Sequence, residues 1–491
     1  MKKGKFAKGL LIIVPIFIVM IYFPYFIGLG DLPIRTWDEA RLVANALEMN
    51  DNGNYLVTSF YGKPDMWNTK PPLMIWSQVL SMNMIGNEEL AFRLPSAIAG
   101  CLTCLLLLLF SVRYLKSSVP GFIATLILIT SEGHLGYHVA RTGDYDAMLT
   151  FFMLAYLLCF FLWAETGKRK YLHLFFTGIV LSVYTKSIQG LLFLPPIAFY
   201  ILIAGHSKKF FKEKWVYIDA LLGIVIIAAY YLGRESVNPG YLKAVWENEL
   251  GGRMLQTIEN HTGPASYYID LLWNKQFPMY FAASVIGILS YWLFPPSPTK
   301  RILGYSIITA VFYLITISIA KTKLEWYTAP VIPVLALIAT MPFYLILQVI
   351  GDENNGIQKI NRVFIPVLFI TMIFTYPYVR IVDEVYKQKE KPEAMHFYRF
   401  TYFLRDALRG EYDLNNHKIA YTQYKAQLDY YMRRLQEKGV KVFYANPQWL
   451  AKGDKIVYER DEEVRAIKQK FATSEIYNYN QIKVLQIDSL K

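Results

Sequence analysis

Charge is what this sequence has least of. Only 18% of its 491 residues are Asp, Glu, Lys or Arg, against 54% hydrophobic and 16% aromatic. That shortage excludes an ordinary soluble enzyme of this length, whose apolar runs are shorter and more often interrupted. Cysteine is nearly absent: Cys101, Cys104 and Cys159 all lie within apolar runs. The C-x-x-C they include has no second pair and no redox βαβ context, which excludes a zinc site and a disulfide framework. There is no glycine-rich nucleotide loop, no internal repeat and no low-complexity segment. The formal net charge of +13 is spread through short segments between apolar runs. That placement argues for a membrane and against a nucleic-acid partner.

What is present is a series of apolar runs, many of about 18–25 residues, long enough to cross a hydrocarbon core of ~30 Å as helices. Candidate spans fall near 9–30, 91–112, 118–134, 147–164, 171–185, 188–204, 215–233, 276–295, 301–320, 326–349 and 361–381, about eleven in all. The fold class expected is an all-α polytopic membrane protein, with a small C-terminal α/β domain. The N-terminal run is too long for a signal peptide and lacks an A-x-A cleavage site, so it reads as an uncleaved first span. The segments that follow alternate spans, "RYLKSS", "AETGKRK", "HSKKFFKEK", "PPSPTKR" and "GDENNGIQKINR", all carry basic residues. The segment 31–90 holds about twice as many acids as bases. This bias predicts a cytoplasmic N-terminus in the cell inner membrane.

Two further regions stand out. Residues 31–90 form a first outer loop with interfacial amphipathic helices, "DEARLVANALEM" and "PPLMIWSQVLSMNMIG". They belong to a transmembrane domain read as 1–384. From 385 to 491 the composition turns to mixed charge. Strands are expected at "HKIAYT", "VKVFYA", "DKIVYE" and "IKVLQI", and helices at "AQLDYYMRRLQEKG" and "ERDEEVRAIKQKF", an extracytoplasmic α/β domain.

The ionisable residues gather at the boundaries expected on the outer side: Asp38 and Glu39, Arg141, Asp144 and Asp146, Lys186, His261, and Lys321, Lys323, Glu325 and Tyr327. Each has a plain reading alone. An acid pair suits a helix N-terminus, Arg141 and Asp146 can simply pair, lysines snorkel, and Asn260-His261-Thr262 reads as a glycosylation sequon. Together they point to a shared polar cavity, because charges at the rim of a leaflet are costly otherwise. Acids that can serve as base beside cations that can hold phosphate suit a phosphate-headed lipid.

At "TWDEARLVANALEM", "GKPDMWNTKPPLMIWSQVLSMNMIGNEELAFRLPSA" and "ARTGDYDAML" the sequence resembles the GT-C glycosyltransferases that use polyprenyl-phosphate sugars, among them the bacterial lipid A aminoarabinose transferases and the protein O-mannosyltransferases. The resemblance runs from the first span to about residue 345. It implies a membrane transferase that moves a sugar from a polyprenyl-phosphate donor to a lipid, glycan or protein acceptor, with inversion. It implies Asp38, Glu39 and Asp146 as catalytic acids. It implies Lys70, Arg141, Lys323 and Tyr327 around the donor phosphate, and His261 as a ligand of a divalent metal. Two departures stand against it. Thr69 occupies the place where relatives with a metal carry Glu before K-P-P-L, and Glu325 stands where proline is usual. A lipid-linked glycan flippase is the alternative.

Overall fold

The computed structural model describes residues 2–252, 257, 261–351, 360–387, 390, 392–479 and 481–491. The sequon's Asn260 and most of the basic segment 351–362 lie outside the described residues. The chain divides into two compact units, 1–29 with 48–387, and 30–47 with 388–491.

The first unit is helical because its apolar runs must satisfy their backbone groups internally to lie in lipid. Among the described residues, seven helices are long and apolar enough to cross a bilayer: Glu89–Leu115, Asp146–Thr166, Arg169–Leu191, Lys214–Val237, Pro298–Ile319, Glu325–Gly351 and Phe364–Tyr386. The other four expected segments appear as shorter apolar helices, described over Val14–Phe26, Val119–Ile129, Leu194–Ile203 and Pro278–Ser290. The expected interfacial helix after the two prolines is Leu73–Ile85, entered at Pro72.

Helix pairs approach closely where a side chain is missing. A Cβ on Gly178 would lie 2.8 Å from Tyr156 Cβ, which sets the crossing of Arg169–Lys186 on Asp146–Thr166. A Cβ on Gly287 would lie 2.2 Å from the Ile338 carbonyl oxygen, where Pro278–Ser290 crosses Ile332–Gly351. Small residues at such crossings let dispersion contacts form where lipid offers no hydrophobic driving force. Buried aromatics, among them Trp163, Tyr156, Phe160, Phe161 and Tyr305, fill the space around Asp146–Thr166.

The second unit is built on a five-stranded mixed sheet. Its strands are β3 His417–Ile419, β4 Val442–Tyr444, β5 Lys455–Tyr458, β6 Phe471–Tyr479 and β7 Ile482–Leu490, in the order β4-β3-β5-β7-β6. (A two-stranded β1 Ser59–Phe60 and β2 Lys63–Pro64 lies in the first unit.) Strand β3 pairs parallel to β4 and β5, and the helix Ala426–Glu437 supplies the crossover that a parallel β3–β4 pair needs. Strand β7 pairs antiparallel to both β5 and β6. Ile456, Tyr458, Val464, Ile467, Phe471, Leu485 and Ile487 form a buried cluster on this sheet.

The segment 30–47 belongs with this unit rather than with the rest of the first loop. The Ile34 amide donates to the Tyr431 hydroxyl at 3.1 Å. The Arg35 guanidinium pairs with Glu390 at 2.7 Å and lies 3.9 Å from the centre of the Tyr398 ring. Arg405 donates to the Asp31 carbonyl.

Candidate active site

Three separated stretches of the first unit bring buried polar and aromatic side chains together. The first is the loop 65–70. Asp65 Oδ1 accepts the amides of Trp67 (3.0 Å) and Asn68 (2.9 Å), a local turn that competes with helix or strand. Arg234, fully buried, reaches the Thr58 hydroxyl at 3.1 Å and the Asp65 carbonyl at 3.3 Å. The Tyr241 hydroxyl donates to the Thr69 carbonyl at 2.6 Å. Lys70 therefore starts from a fixed backbone. Its ammonium pairs with Glu249 Oε1 at 3.0 Å and lies 5.5 Å from the centre of the Tyr145 ring.

The second stretch is 138–146. The Gln78 amide nitrogen donates to the carbonyls of Phe92 (3.0 Å) and Gly143 (3.1 Å), and Ser96 donates to the Asp144 carbonyl at 2.9 Å. Gly143 is required there, since a Cβ would lie 2.8 Å from the Phe92 oxygen. The Asp144 carboxylate accepts from its neighbour's amide, Tyr145 N, at 2.7 Å and pairs with His138. Asp146 opens its helix as the first-turn acid, favoured by the dipole. Both of its oxygens accept from Lys186 Nζ, at 2.7 and 2.6 Å, with the pair almost wholly buried. The Tyr145 hydroxyl exchanges hydrogen bonds with the Asn68 side chain, 2.8 Å from its nitrogen, which ties this stretch to the first.

The third stretch is 322–328. Trp326 stacks on His138, with centroids 3.6 Å apart and planes at 27°. Tyr327 is buried; its carbonyl accepts from Tyr313 at 2.8 Å, and Lys186 Nζ lies 5.8 Å from its ring centre. Gln276 holds the turn by donating to the Glu325 carbonyl at 2.9 Å.

Burial alone would raise the Asp144 carboxyl. The His138 imidazole, the Lys186 ammonium and the Tyr145 amide outweigh it and hold that carboxyl below the usual carboxylate value. Burial pushes the Tyr145 phenol well above its usual value, so it acts as a neutral donor and acceptor. Asp144 is held by His138 and the Tyr145 amide, and Asp146 by the Lys186 ammonium, so both carboxylates have partners within the network.

The expected site residues fall into four groups. Lys70, Asp146 and Tyr327 lie in this network. Arg141 directs its terminal nitrogens to the carbonyls of Pro24 and Ile27, each at 2.7 Å, where the first helix ends. Lys323 likewise caps a helix: its ammonium reaches the Ile317 carbonyl at 3.3 Å and that of Ser318, and burial lowers its pKa. Asp38 and Glu39 lie in the second unit, in the first turn of Asp38–Asn52. Glu39 is buried and accepts the Arg35 amide at 2.7 Å, the role of an acid at a helix start.

His261 is exposed, and its carbonyl accepts the Lys323 amide at 2.9 Å. Among the described residues it belongs to no group of three His, Cys, Asp or Glu side chains close enough to share a metal ion. Glu325 pairs with Lys275 at 2.6 Å on the surface, so it does not make up for the carboxylate missing at Thr69.

The sequence did not single out Lys186, His138, Trp326 or Glu249 as site residues. Lys186 and Asp144 were legible as boundary charges. Glu249 had no local signal, being 179 positions from Lys70 in a stretch with other acids.

Comparison with known proteins follows the same lines. The family model described as dolichyl-phosphate-mannose-protein mannosyltransferase matches residues 69–232. An undecaprenyl phosphate-alpha-4-amino-4-deoxy-L-arabinose arabinosyl transferase of Shewanella sediminis is 26% identical over 404 residues, 80% of this chain and 68% of that one. One from Aeromonas hydrophila is 24% identical, covering 64% of this chain and 57% of its own length. The chain thus spans about two thirds or less of these curated relatives. The crystal structure of ArnT from Cupriavidus metallidurans bound to undecaprenyl phosphate superposes with a TM-score of 0.71 at 15% identity, covering 96% of this chain and 97% of that one. These findings lend no support to the flippase alternative. In sequence over these stretches the chain is similar to the bacterial aminoarabinose transferases and the protein mannosyltransferases, and its fold is that of the ArnT structure.

Proposed function

We propose that this chain transfers one sugar from a polyprenyl-phosphate donor, of the undecaprenyl-phosphate type, to a hydroxyl of a lipid, glycan or protein acceptor on the outer face of the cytoplasmic membrane, with inversion at the anomeric carbon. The observation that carries this is the assembly of Lys70, Asp146, Lys186 and Tyr327, distant in sequence, into one network of buried charges and aromatic rings.

The leaving group is a phosphate monoester of the lipid. It needs charge stabilisation rather than full protonation, and fixed cations in a dry site supply it with little reorganisation. Lys70 is the phosphate-binding cation, because it is the partly accessible member of its pair, at 13% side-chain exposure against 1% for Glu249. The Asp146–Lys186 pair sets the field around Tyr327. An acceptor hydroxyl needs a base. Asp38 is the candidate, the acid that the resemblance places after the first span.

The resemblance implies a divalent metal with His261 among its ligands; His261 is exposed and belongs to no group of three candidate ligands among the described residues, and Thr69 offers only a hydroxyl where relatives with a metal carry Glu. No step is derived through a metal. The charge bias supports a cytoplasmic N-terminus and an acceptor on the outer side.

The test is transfer in nanodiscs from undecaprenyl-phospho-sugars. Lys70→Ala should raise the donor Kd by about tenfold or more. Asp38→Asn should abolish transfer and leave donor binding intact. A variant that loses donor binding on Asp38→Asn, or keeps full transfer, overturns the assignment. Mass spectra of lipids and glycoproteins from a deletion strain identify the acceptor by the missing sugar mass.

A further inference from the structure

An oxygen beside Lys70 has no partner. Glu249 is 1% exposed, its Oε1 is 3.0 Å from Lys70 Nζ and 3.5 Å from the Thr69 hydroxyl, and its Oε2 is buried with no hydrogen bond. A buried carboxylate oxygen left unsatisfied is costly and calls for an explanation. The backbone around it is tied down. Asn248 donates to the Met66 carbonyl at 2.9 Å, and Tyr241 to the Thr69 carbonyl at 2.6 Å. The segment 241–249 is therefore pinned to the loop that carries Lys70, and the orphaned oxygen belongs to an ordered wall.

We propose that Glu249 is a specificity-determining residue of the donor site: its Oε2 accepts the hydroxyl on the sugar carbon next to the anomeric centre while its Oε1 steadies Lys70 against the donor phosphate. The proposal rests on the donor reading above. An ionised carboxylate only accepts hydrogen bonds, so its missing partner must be a donor. Lys70 holds the phosphate on the anomeric carbon. The nearest hydrogen-bond donor on a phosphorylated sugar is then the hydroxyl one carbon away. Groups on the far side of the ring lie beyond a carboxylate already anchored to that lysine. A hydrogen bond to this hydroxyl also gains strength as the anomeric carbon becomes cation-like, so it assists the transition state more than the ground state. Glu249 reads that hydroxyl and leaves the rest of the ring to other residues.

The experiment uses the full chain in nanodiscs with three lipids: undecaprenyl-phospho-mannose or its 4-amino-4-deoxyarabinose counterpart, whichever the wild type accepts; the corresponding 2-deoxy donor; and undecaprenyl phosphate alone. The wild type should prefer the hydroxylated donor over the deoxy donor by about a hundredfold in kcat/KM. Glu249→Gln should reduce that preference to within about threefold, mostly through kcat, since the charge-assisted bond is gone. Glu249→Asp, which keeps a charge near Lys70 but draws it back from the sugar, should also lose the preference. Both variants should keep the wild-type thermal unfolding midpoint in nanodiscs, which shows that the chain is folded. An unchanged hydroxyl-to-deoxy ratio in either variant, with slower turnover of both donors, makes Glu249 only a partner of Lys70 and overturns the proposal. Failure of the wild type to bind undecaprenyl phosphate at all would instead overturn the donor reading itself.

Discussion

Lys186 and Asp146 show how much a single residue can mislead when read alone. A lysine at a span boundary is usually a snorkelling one, with its head in water. Here Lys186 is 4% exposed and has both Asp146 oxygens within 2.7 Å. Removing one member of such a pair leaves an uncompensated buried charge. Lys186→Met should destabilise the first unit by about 3–5 kcal/mol. The double variant Lys186→Met with Asp146→Leu should recover much of that in thermal unfolding while still lacking transfer. Asp144 carries the pH dependence. Its folded pKa is depressed, so its contribution is present above the unfolded value, about 3.9, and is lost as pH falls through the lower folded value. Acid unfolding followed by tryptophan fluorescence should therefore steepen below about pH 4, and Asp144→Asn should flatten that limb. Asp146, Lys70 and Tyr327 were legible because the resemblance names their motifs. Glu249 was not, because only the folded chain brings it to Lys70.

Hydropathy located every apolar helix, but it overstated the length of several. Val119–Ile129 and Leu194–Ile203 span eleven and ten residues, where runs near 118–134 and 188–204 were expected. Apolar residues continue into turns there, because a neighbouring helix rather than the segment itself supplies the cover. In the second unit the four expected strands are present. Strand β6 was missed, since Phe471 had been read as the end of a helix. Its sequence "FATSEIYNY" lacks clear alternation, as an edge strand with two register irregularities can. Close helix crossings were invisible beforehand, because a glycine in an apolar run carries no pattern. Gly287→Val should clash with the Ile338 carbonyl, where a Cβ would sit 2.2 Å away. A backbone shift of that kind costs about 1–3 kcal/mol and should lower the unfolding temperature in detergent. The same change at Gly233, which has nothing within 4 Å, should have little effect.

Sequence order suggested that residues 31–90 form one loop of the transmembrane domain. The chain instead assigns 30–47 to the C-terminal unit and 48–90 to the helical one. The cause is specific: Asp31, Ile34 and Arg35 find their partners in Arg405, Tyr431 and Glu390, more than 350 positions away. No local pattern encodes such pairings. The α/β domain thereby acquires a role the sequence left open, that of holding the first turn of the helix that begins with Asp38. A chain truncated after residue 387 keeps every helix of the first unit but loses these partners. It should still insert and still bind undecaprenyl phosphate through Lys70. Amides of 30–47 should lose their protection from hydrogen exchange, and, with Asp38 as the proposed base, transfer should fall by at least about a hundredfold. A milder variant separates loss of the domain from loss of the contact: Glu390→Gln weakens one pair and leaves the sheet intact. It should raise exchange at 34–36 and lower kcat without changing the donor Kd. Truncated protein that turns over at the wild-type rate would mean that Asp38 does not depend on this unit for its position.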